Sequence, residues 1–356
     1  MKTITINPGS TSVKYTLFHG DSKSAFCHFK KIRGKYRMNG ARIKERDFLD
    51  SFRFFRGYLK GKGLLKNSQE ITKIGIRIVH GGNYFSEPII LNRSVIKKIK
   101  KLSELAPLHN PFALSIISQV QKKLPKVPIT AVFDTAFHQT IPEYASTYAI
   151  PTSVSDKYGI KRYGFHGIAC QWALRQIARK YKQIPKNIVI CHLGGGASIT
   201  AVKSGKSIDT SMGFTPLEGL MMVSRSGDIG AGVVEYLSEK KPVQKVIDML
   251  NEESGFYGIT GSKDIEKVVN KAVKGNKKCK LALEMFCYRL VKYIYSYCGA
   301  MQGLDLVVFS GGMGEGSSII RNIVTKELKP LGITSKQVMV VHTDEAQEIF
   351  ENIKLA

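Results

Sequence analysis

Three glycine-rich turns in this 356-residue chain each follow an apolar run, at residues 7–12, 194–198 and 311–317. Glycine lets backbone N–H groups approach a phosphate closely, and the third turn opens a helix whose N-terminus favours an anion. None of the turns has the Walker order, in which Gly-Lys-Ser/Thr leads into a helix. One such turn alone is typical of a plain tight turn, but three of them predict a phosphate-binding cleft.

Charged and imidazole side chains lie in five further motifs, at residues 77–82, 105–111, 133–138, 162–167 and 224–228. Each motif lies at a strand end or a glycine turn, where α/β proteins bind ligands. The chain lacks His and Cys spacings typical of transition-metal sites, so a hard ion such as Mg²⁺, bound through phosphates, is favoured. It also lacks the Gly-x-Ser-x-Gly elbow of serine hydrolases. His80 and His138 are interpreted either as site residues or as core and turn histidines.

Alternating and continuous apolar runs indicate the elements that position these motifs. Predicted strands cover residues 3–6, 13–18, 74–79, 127–133, 188–193, 197–202, 306–309 and 338–341. Predicted helices cover residues 111–124, 168–181, 242–251, 264–273 and 280–299, a segment from about 318, and the acidic C-terminal end. A basic hairpin around Asn39-Gly40 is expected within residues 26–43.

Residues 4–14 and 190–200 share one pattern, a strand, a turn of small residues and a second strand. This repetition predicts an α/β protein in which a unit of sheet plus helices occurs twice, with a cleft between the copies. We expect a first domain at 1–138, with the last helix, 346–356, packing back on it, and a second domain at 139–345.

The chain carries 54 Lys and Arg against 28 Asp and Glu, a formal net charge of +26. That excess is compatible with nucleic acid, an acidic membrane or small anionic substrates. Most lysines are scattered, without an arginine-rich arm or zinc-finger spacing, so a solvated basic surface is favoured over a nucleic-acid face. No apolar run approaches a membrane span, and the six cysteines form no Cys-x-x-Cys pair. A cytoplasmic protein with reduced thiols is expected.

Several of these motifs, taken together, resemble those of the acetate kinase (acetokinase) family from residue 7 to about 345. They are Asn-Pro-Gly-Ser-Thr-Ser-x-Lys, Arg-x-Val-His-Gly-Gly, Leu-Ala-Pro-Leu-His-Asn-Pro, Phe-Asp-Thr-Ala-Phe-His-Gln-Thr, Arg-Tyr-Gly-Phe-His-Gly and the Pro-Leu-Glu-Gly run before Arg225. The resemblance implies two duplicated actin-like (ribonuclease H-like) domains of mixed sheet plus helices. It also implies reversible Mg²⁺-dependent (or Mn²⁺-dependent) phosphoryl transfer between ATP and acetate, giving acetyl phosphate and ADP, in a homodimer formed through the second domain.

The resemblance also implies roles for individual residues. Asn7 and Glu345 match metal positions; Ser10, Ser12 and Lys14 match a phosphate-contacting turn. Arg77 matches the acetate-binding arginine, Asp134 the catalytic aspartate, His109 a histidine near the phosphate, and Arg225 with His166 the pair that stabilises the transferring phosphoryl group. The residues that match the apolar acyl pocket are Val79, Leu108, Phe165 and Pro216. Those on the nucleotide side are His192, Leu193, Gly194, Gly195, Gly196, Asp264, Gly312, Met313, Gly314, Glu315 and Gly316.

The chemistry of the reaction is compatible with these roles. Acetate is ionised at pH 7, so its oxygen is already nucleophilic and no strong base is needed. The obstacle is to bring two anions together, which arginines, a magnesium ion and an imidazole can overcome. We therefore expect Asp134 to orient an arginine or the metal's waters rather than to abstract a proton.

The nucleotide side departs from the family pattern in four places. Gly194-Gly195-Gly196 replaces Gly-Asn-Gly, and Gly227-Asp228-Ile229-Gly230 replaces Gly-Asp-Ile-Asp. Gly314-Glu315-Gly316 replaces Gly-Glu-Asn, and Glu266 stands where a base-stacking arginine is usual. The sequence therefore leaves three alternatives open: a propionate or butyrate kinase, an acetate kinase with another donor such as pyrophosphate, and an inactive kinase-like basic binding protein.

Overall fold

A computed structural model describes residues 2–9, 11–32 and 34–355. The chain divides into two compact units. The first comprises Met1–Ala136 together with Asp344–Ala356, and the second comprises Phe137–Thr343. Both divisions fall two residues before the boundaries expected from the sequence, so Glu345 belongs to the first unit and His138 to the second.

The elements follow one another along both units. The strands are β1 Lys2–Pro8, β2 Ser12–His19, β3 Ser22–Ile32, β4 Lys35–Met38, β5 Ala41–Arg42, β6 Ile71–Ile78, β7 Ile89–Ile90, β8 Ile129–Phe133, β9 Asn187–Leu193, β10 Ala197–Lys203, β11 Lys206–Thr210, β12 Leu306–Ser310 and β13 Val338–Val340. The helices are α1 Glu45–Leu49, α2 Ser51–Gly61, α3 Arg93–Lys101, α4 Asn110–Lys123, α5 Glu143–Ser146, α6 Thr152–Tyr158, α7 Gly167–Lys180, α8 Ala231–Lys240, α9 Val243–Glu252, α10 Gly255–Thr260, α11 Ile265–Val273, α12 Lys277–Met301, α13 Gly311–Gly316, α14 Ser318–Glu327 and α15 Glu345–Leu355.

Five strands of the first sheet, β3-β2-β1-β6-β8, follow the same order as the five strands of the second, β11-β10-β9-β12-β13, which confirms the duplicated α/β fold expected from the sequence. The first sheet runs β5-β4-β3-β2-β1-β6-β8-β7 and the second runs β11-β10-β9-β12-β13. In each, the opening strand (β1 or β9) pairs antiparallel with the next strand and parallel with a strand that returns after a helical segment. The parallel series continues to β8 and to β13.

The strands at the centre of each sheet are buried on both faces. β8, β9 and β12 are buried at every position, which is why their sequences are near-continuous apolar runs. β3 instead has one buried face, where Phe29 packs beside Tyr15 of β2 and Phe52 and Phe55 of α2, whereas β2 is buried at every position from Tyr15 to Phe18. Each unit therefore has its own core, built around its parallel strands.

The last helix packs on the sheet of the first unit. α15 contacts β1, β6 and β8, and Phe350 stacks on Phe18 at a ring-centroid distance of 4.2 Å. Gly75 on β6 makes this approach possible, because a Cβ there would lie 2.7 Å from Ile349 Cγ2 and 3.0 Å from Ile353 Cγ2. The packing brings Glu345, the first residue of α15, to the carboxyl end of β1.

No helix within the described ranges offers an apolar stretch that could span a lipid bilayer.

Candidate active site

Four of the predicted site residues meet in the first unit, at the carboxyl ends of its parallel strands. Asn7 is near the end of β1, Arg77 near the end of β6, and Asp134 directly follows β8. Arg77 Nε donates to Asp134 Oδ2 at 2.9 Å, and Arg77 Nη1 donates to Asn7 Oδ1 at 2.9 Å. Asn7 Nδ2 in turn donates to Glu345 Oε2 at 2.6 Å. One hydrogen-bonded chain therefore connects the four side chains.

Burial gives this cluster unusual electrostatics. Asp134 has no exposed surface, and burial raises its pKa to about 6, with the Arg77 charge opposing the rise and the Glu345 charge adding to it. Burial disfavours the charge on Arg77, but Asp134 and Glu345 outweigh that effect and raise its pKa above the ordinary value. Both members of the pair are therefore ionised at neutral pH.

Two hydrogen-bonding capacities of the cluster remain open. A guanidinium has five N–H donors, and Arg77 uses three of them on Asp134 and Asn7. Asp134 Oδ1 is buried and has no hydrogen-bond partner among the described residues. Asp134 thus orients Arg77 through one oxygen, and both groups retain capacity for a ligand or a cation.

The predicted phosphate turn borders this cluster. Ser10 lies outside the described residues, and Ser12 is half-buried at the start of β2. Lys14 is exposed and is the cross-strand partner of Asn7 in the β1–β2 pair, so the two side chains share one face of the sheet.

The other predicted residues of the first unit differ in exposure. Val79 is buried and His109 is half-buried immediately before α4. Leu108 is 65% exposed, which is not the buried position expected of a pocket wall within its own unit. Asn110, which sequence reasoning did not single out, donates from Nδ2 to the His80 carbonyl and accepts from the His80 N–H. It thereby fixes the turn after Arg77.

His166 and Arg225 meet in the second unit. A Cβ built on Gly196 would lie 3.3 Å from Arg225 Nη1 and 3.4 Å from His166 Nε2, so both side chains converge on this glycine. His166 Nδ1 is 3.0 Å from Ser198 Oγ, and its ring lies 4.7 Å from that of His192, centroid to centroid. His166 also has a left-handed backbone, with φ of 61°, a strained conformation typical of functional sites.

Arg225 is a half-buried cation that has no acidic partner among the described residues. Its Nη1 contacts only the Pro216 carbonyl at 3.4 Å and the Met222 sulfur at 3.8 Å, and burial lowers its pKa. The surrounding loop is held tightly: Arg289 Nη1 donates to the Ser226 carbonyl, and Gly255, at φ of 62°, brings its backbone against Met222 and Arg225. A half-buried guanidinium with no acidic partner in the described part of the chain is suited to bind an anion.

His138 supports the loop that carries His166. Its Nε2 lies 2.9 Å from the Phe165 carbonyl, which can only accept, so Nε2 carries the proton and Nδ1 accepts from Ser207 Oγ at 2.9 Å. Gly164, at φ of 72°, packs so closely that a Cβ would lie 2.6 Å from His138 Cγ. Phe165 itself is buried. Among the two interpretations of His138, the geometry favours a buried residue with both ring nitrogens satisfied.

The other two glycine turns lie beside a cavity of 510 Å³ in the second unit. Gly194, Gly195, Gly312, Met313 and Gly316 line it. Residues 311–316 form the short helix α13 rather than the predicted open turn, and the helix that follows starts after the Ser317 cap. Gly311 packs directly on the backbone of Leu193 and Gly194, which joins the two glycine segments.

Several residues predicted for the nucleotide side make hydrogen bonds within the protein or are buried. Asp264 caps α11 by accepting from the Lys267 N–H, whereas its neighbours Lys263 and Ile265 line the cavity. Glu315 accepts from the N–H groups of Gly311 and Thr343, so it holds backbone segments together. His192 Nδ1 lies 3.1 Å from Ser310 Oγ, Leu193 is fully buried, and a Cβ on Gly314 would contact Leu193.

Sequence reasoning did not identify four further residues that build the site. Ser198 contacts His166, and Asn270 and Ser317 line the cavity. Glu218 accepts from Arg162 Nη2 at 2.6 Å, an ion pair that secures the segment before Arg225. Glu218 lies in the Pro-Leu-Glu-Gly run, so the motif contained a signal, but neither its spacing nor its residue type indicates the partner.

Duplicated sheets with glycine turns at the carboxyl ends of β1, β9 and β12, and with arginines available to bind anions, are those of an α/β phosphotransferase. Comparisons with known proteins agree with this class. The sequence model of the Acetokinase family matches residues 2–353. The chain therefore belongs to the acetokinase family.

Individual relatives cover most of the chain. It is 43% identical to the acetate kinase of Carboxydothermus hydrogenoformans, covering 94% of this chain and 88% of that protein, and 41% identical to that of Thermotoga maritima, covering 94% and 87%. A crystal structure of acetate kinase from Porphyromonas gingivalis superposes with a TM-score of 0.92 at 33% identity, covering 99% of both chains. A propionate kinase structure from Francisella tularensis gives a TM-score of 0.92 at 36% identity, covering 99% of this chain and 98% of that chain.

His138 should make folding stability depend on pH. Burial lowers its pKa from 6.5 to about 4, although the Phe165 carbonyl acts in the opposite direction. Between those values the unfolded chain binds a proton that the folded chain does not, so this stability is present above pH 6.5 and is lost as the pH falls. The loss reaches about 3 kcal/mol near pH 4, at about 1.4 kcal/mol per pKa unit.

Urea unfolding of the parent and of His138→Gln at pH 7, 6 and 5 measures this effect. The variant should be less stable at pH 7, because it loses hydrogen bonds, but its free energy of unfolding should fall less between pH 7 and pH 5. Parallel pH profiles for the two proteins would show that His138 is not the group responsible.

Proposed function

We propose that this chain is an acetate kinase, which transfers a phosphoryl group reversibly between ATP and acetate and gives acetyl phosphate and ADP. The observation that carries the proposal is the pair of half-buried arginines, Arg77 in the first unit and Arg225 in the second. One is held by a carboxylate with two N–H donors to spare, and the other has no acidic partner. The names of the relatives support the same activity.

In this proposal Arg77 binds the acetate carboxylate. Asp134 and Asn7 fix the guanidinium plane, and the two remaining N–H donors can hold one or both acetate oxygens. An acetate oxygen is ionised at neutral pH and attacks phosphorus without a general base. Asp134 therefore acts by orienting Arg77, as its hydrogen bonds suggest, and not by accepting a proton from the substrate.

Arg225 and His166 then stabilise the transferring phosphoryl group. Charge in the transition state is spread over the three equatorial phosphoryl oxygens, and fixed cationic or N–H donors lower its energy most when water is excluded. Arg225 is half-buried in a loop whose backbone is tightly packed, so little reorganisation of that loop is needed as the charge develops. His166 converges on the same glycine from the other side and adds an imidazole donor.

The donor set of the first unit fits a magnesium ion. The described residues contain no group of three or more His, Cys, Asp or Glu able to hold a metal. Mg²⁺ characteristically takes one or two protein oxygens plus phosphate oxygens and waters, and Asn7 and Glu345 supply such oxygens beside the unpaired Asp134 Oδ1. Asn7 and Glu345 would hold the ion, which would neutralise phosphate charge when bound. Mn²⁺ also prefers oxygen ligands and could take the same place.

The 510 Å³ cavity is proposed to bind the nucleotide. Gly194, Gly195 and Gly312 leave part of its wall without side chains, so backbone N–H groups there can approach phosphates. Apart from its chain neighbours, no described residue has an atom within 4 Å of a Cβ built on Gly195, so the asparagine of the usual Gly-Asn-Gly would fit at this position without a steric clash. Glu266 lines the same cavity. Pyrophosphate therefore remains the second donor to be tested.

Two further properties are proposed for the native protein. The six cysteines are all free and at least half-buried, which supports a reducing, cytoplasmic location. Leu281, Tyr288 and Tyr295 are exposed at seven-residue intervals along α12, and this stripe supports a homodimer through the second unit. Light scattering should give the dimer mass for the parent and the monomer mass for Tyr288→Glu; a monomeric parent would exclude it.

The activity itself is tested by trapping acyl phosphate as its hydroxamate. Acetate, propionate and butyrate are each combined with ATP, GTP and pyrophosphate, with Mg²⁺ and after its removal by a chelator. We expect the highest kcat/KM with acetate and ATP, and no product without the metal. Each added methylene should lower kcat/KM by roughly 10–200-fold, which is what one methylene is worth in an apolar pocket. No acyl phosphate from any pair would overturn the proposal.

Arg225 allows a sharp test, because its loss should affect turnover and not folding. Arg225→Ala removes a half-buried cation that has no acidic partner within the described ranges, so the melting temperature should hold or rise. The kcat should fall by about 10³-fold or more, as for other arginines that contact a transferring phosphoryl group. Arg225→Lys, the matched control, keeps the charge but not the planar fork, and should retain part of the rate. Turnover near the parent's in Arg225→Ala would contradict the assigned role.

A further inference from the structure

The outer strands of the first sheet align like charges that are scattered in the sequence. In the β3–β4 pair Lys30 lies opposite Arg37, and in the β4–β5 pair Arg37 lies opposite Arg42. Cross-strand partners share a face, so three cations form one row that spans roughly 10 Å, at about 4.8 Å between neighbouring strands. Lys14 and His28 are partners in the β2–β3 pair and lie on the same face. We call this surface the basic sheet face.

The outer strands of the basic sheet face are exposed, and Glu45 and Asp47, the two acids that line a cavity with Arg42, form no ion pair with it. Lys14, Lys30, Arg37 and Arg42 are all exposed, and none of the described residues of β2–β5 is Asp or Glu. Among these cations only Arg37 has a fixed contact, with the Gly40 carbonyl. Like charges directly opposite one another destabilise a sheet, so a row of three works against folding unless a bound anion offsets the repulsion.

Aromatic rings share the face with the cations. Phe26 is the cross-strand partner of Thr16 and lies on the same side of the sheet as Lys14 and His28, because alternate residues of a strand share a face. Phe26 is 50% exposed, and its ring centroid lies 6.4 Å from that of His28. Burial, and then the charges of Lys14 and Lys30, lower the pKa of His28, so at neutral pH it presents an uncharged ring.

We propose that the basic sheet face binds single-stranded nucleic acid, with Lys30, Arg37 and Arg42 contacting phosphates and Phe26 stacking on a base. Exposed aromatic side chains on a cationic sheet are what single-strand binders use, because every base has a π-face and every phosphate a charge. The opposite side of these strands carries Tyr15, Cys27 and Phe29 in the core, so the presented surface is rigid.

An acidic membrane is a poorer match to the same surface. Insertion into a membrane uses the apolar face of an amphipathic helix, whereas here the exposed ring of Phe26 belongs to a strand that also carries cations. Inorganic polyphosphate offers the charge without a base. Phe26, beside the row of cations, favours a nucleic acid over polyphosphate, because only a nucleic acid has bases that can stack on its ring. Substitution of Phe26 therefore distinguishes the two ligands.

The test measures fluorescence anisotropy of a labelled 20-nucleotide oligouridylate with the full-length protein at 50–200 mM salt. The face variant combines Lys30→Gln, Arg37→Gln and Arg42→Gln. The matched control combines Lys97→Gln, Lys100→Gln and Lys101→Gln on the exposed side of α3, which removes the same charge from another surface. Circular dichroism and acyl kinase activity verify that each variant is folded.

The parent should bind the oligonucleotide, and the face variant should bind it at least about tenfold more weakly. The slope of log K against log salt should be smaller in magnitude by about 2 in the face variant, because each of the three lost phosphate contacts contributes about 0.7. The control should keep the parent's slope. Phe26→Ala should weaken binding roughly five- to hundredfold without changing the slope.

Three results would overturn the proposal. The first is absence of binding at 50 mM salt, and the second is an equal loss in the face variant and the control. The third is unchanged affinity in Phe26→Ala together with equal competition by polyphosphate of the same charge, which would make the surface a site for any polyanion.

Discussion

The buried ion pair between Arg77 and Asp134 is the interaction on which the first unit's site depends. A lone guanidinium or carboxylate at this depth would cost several kcal/mol, so each needs the other. The pair forms because β6 and β8 are parallel neighbours whose carboxyl ends reach the same edge of the sheet. Asn7, on the next strand, and Glu345, carried in by α15, complete the hydrogen bonds. The C-terminal helix is therefore part of the site, and Gly75 is what allows it to dock.

Arg225 in the second unit is positioned differently from Arg77. Backbone contacts from a tightly packed loop fix its position, and no carboxylate neutralises it. The difference fits the two proposed roles. An arginine that binds a small carboxylate must be oriented and must release it, for which a partner such as Asp134 is useful. An arginine that stabilises charge appearing only in the transition state is more effective without a counter-ion that already satisfies it.

Much of this fold could be predicted from sequence, for a physical reason. Strands such as β8, β9 and β12 are buried on both faces, and their apolar runs were recognised. Helices α2 and α3 were not predicted, because lysines and arginines interrupt their apolar residues and were interpreted as part of a solvated basic surface. The short helix α13 was predicted as a turn, since glycine-rich sequence rarely favours a helix. The four polar residues of the first cluster came from motifs, but which of them bond to one another depends on strand register, which no motif contains.

Strand register also changes the meaning of the net charge of +26. Along the chain, Lys30, Arg37 and Arg42 are each several residues apart, a spacing typical of a solvated surface. The antiparallel pairs β3–β4 and β4–β5 bring Lys30, Arg37 and Arg42 directly opposite one another. A one-residue shift in either pair would send these side chains to opposite faces and relieve the repulsion. The register is instead fixed by the buried side, where Phe29 and Met38 are partners beside the core. Core packing thus enforces a charge arrangement that the surface alone would not adopt.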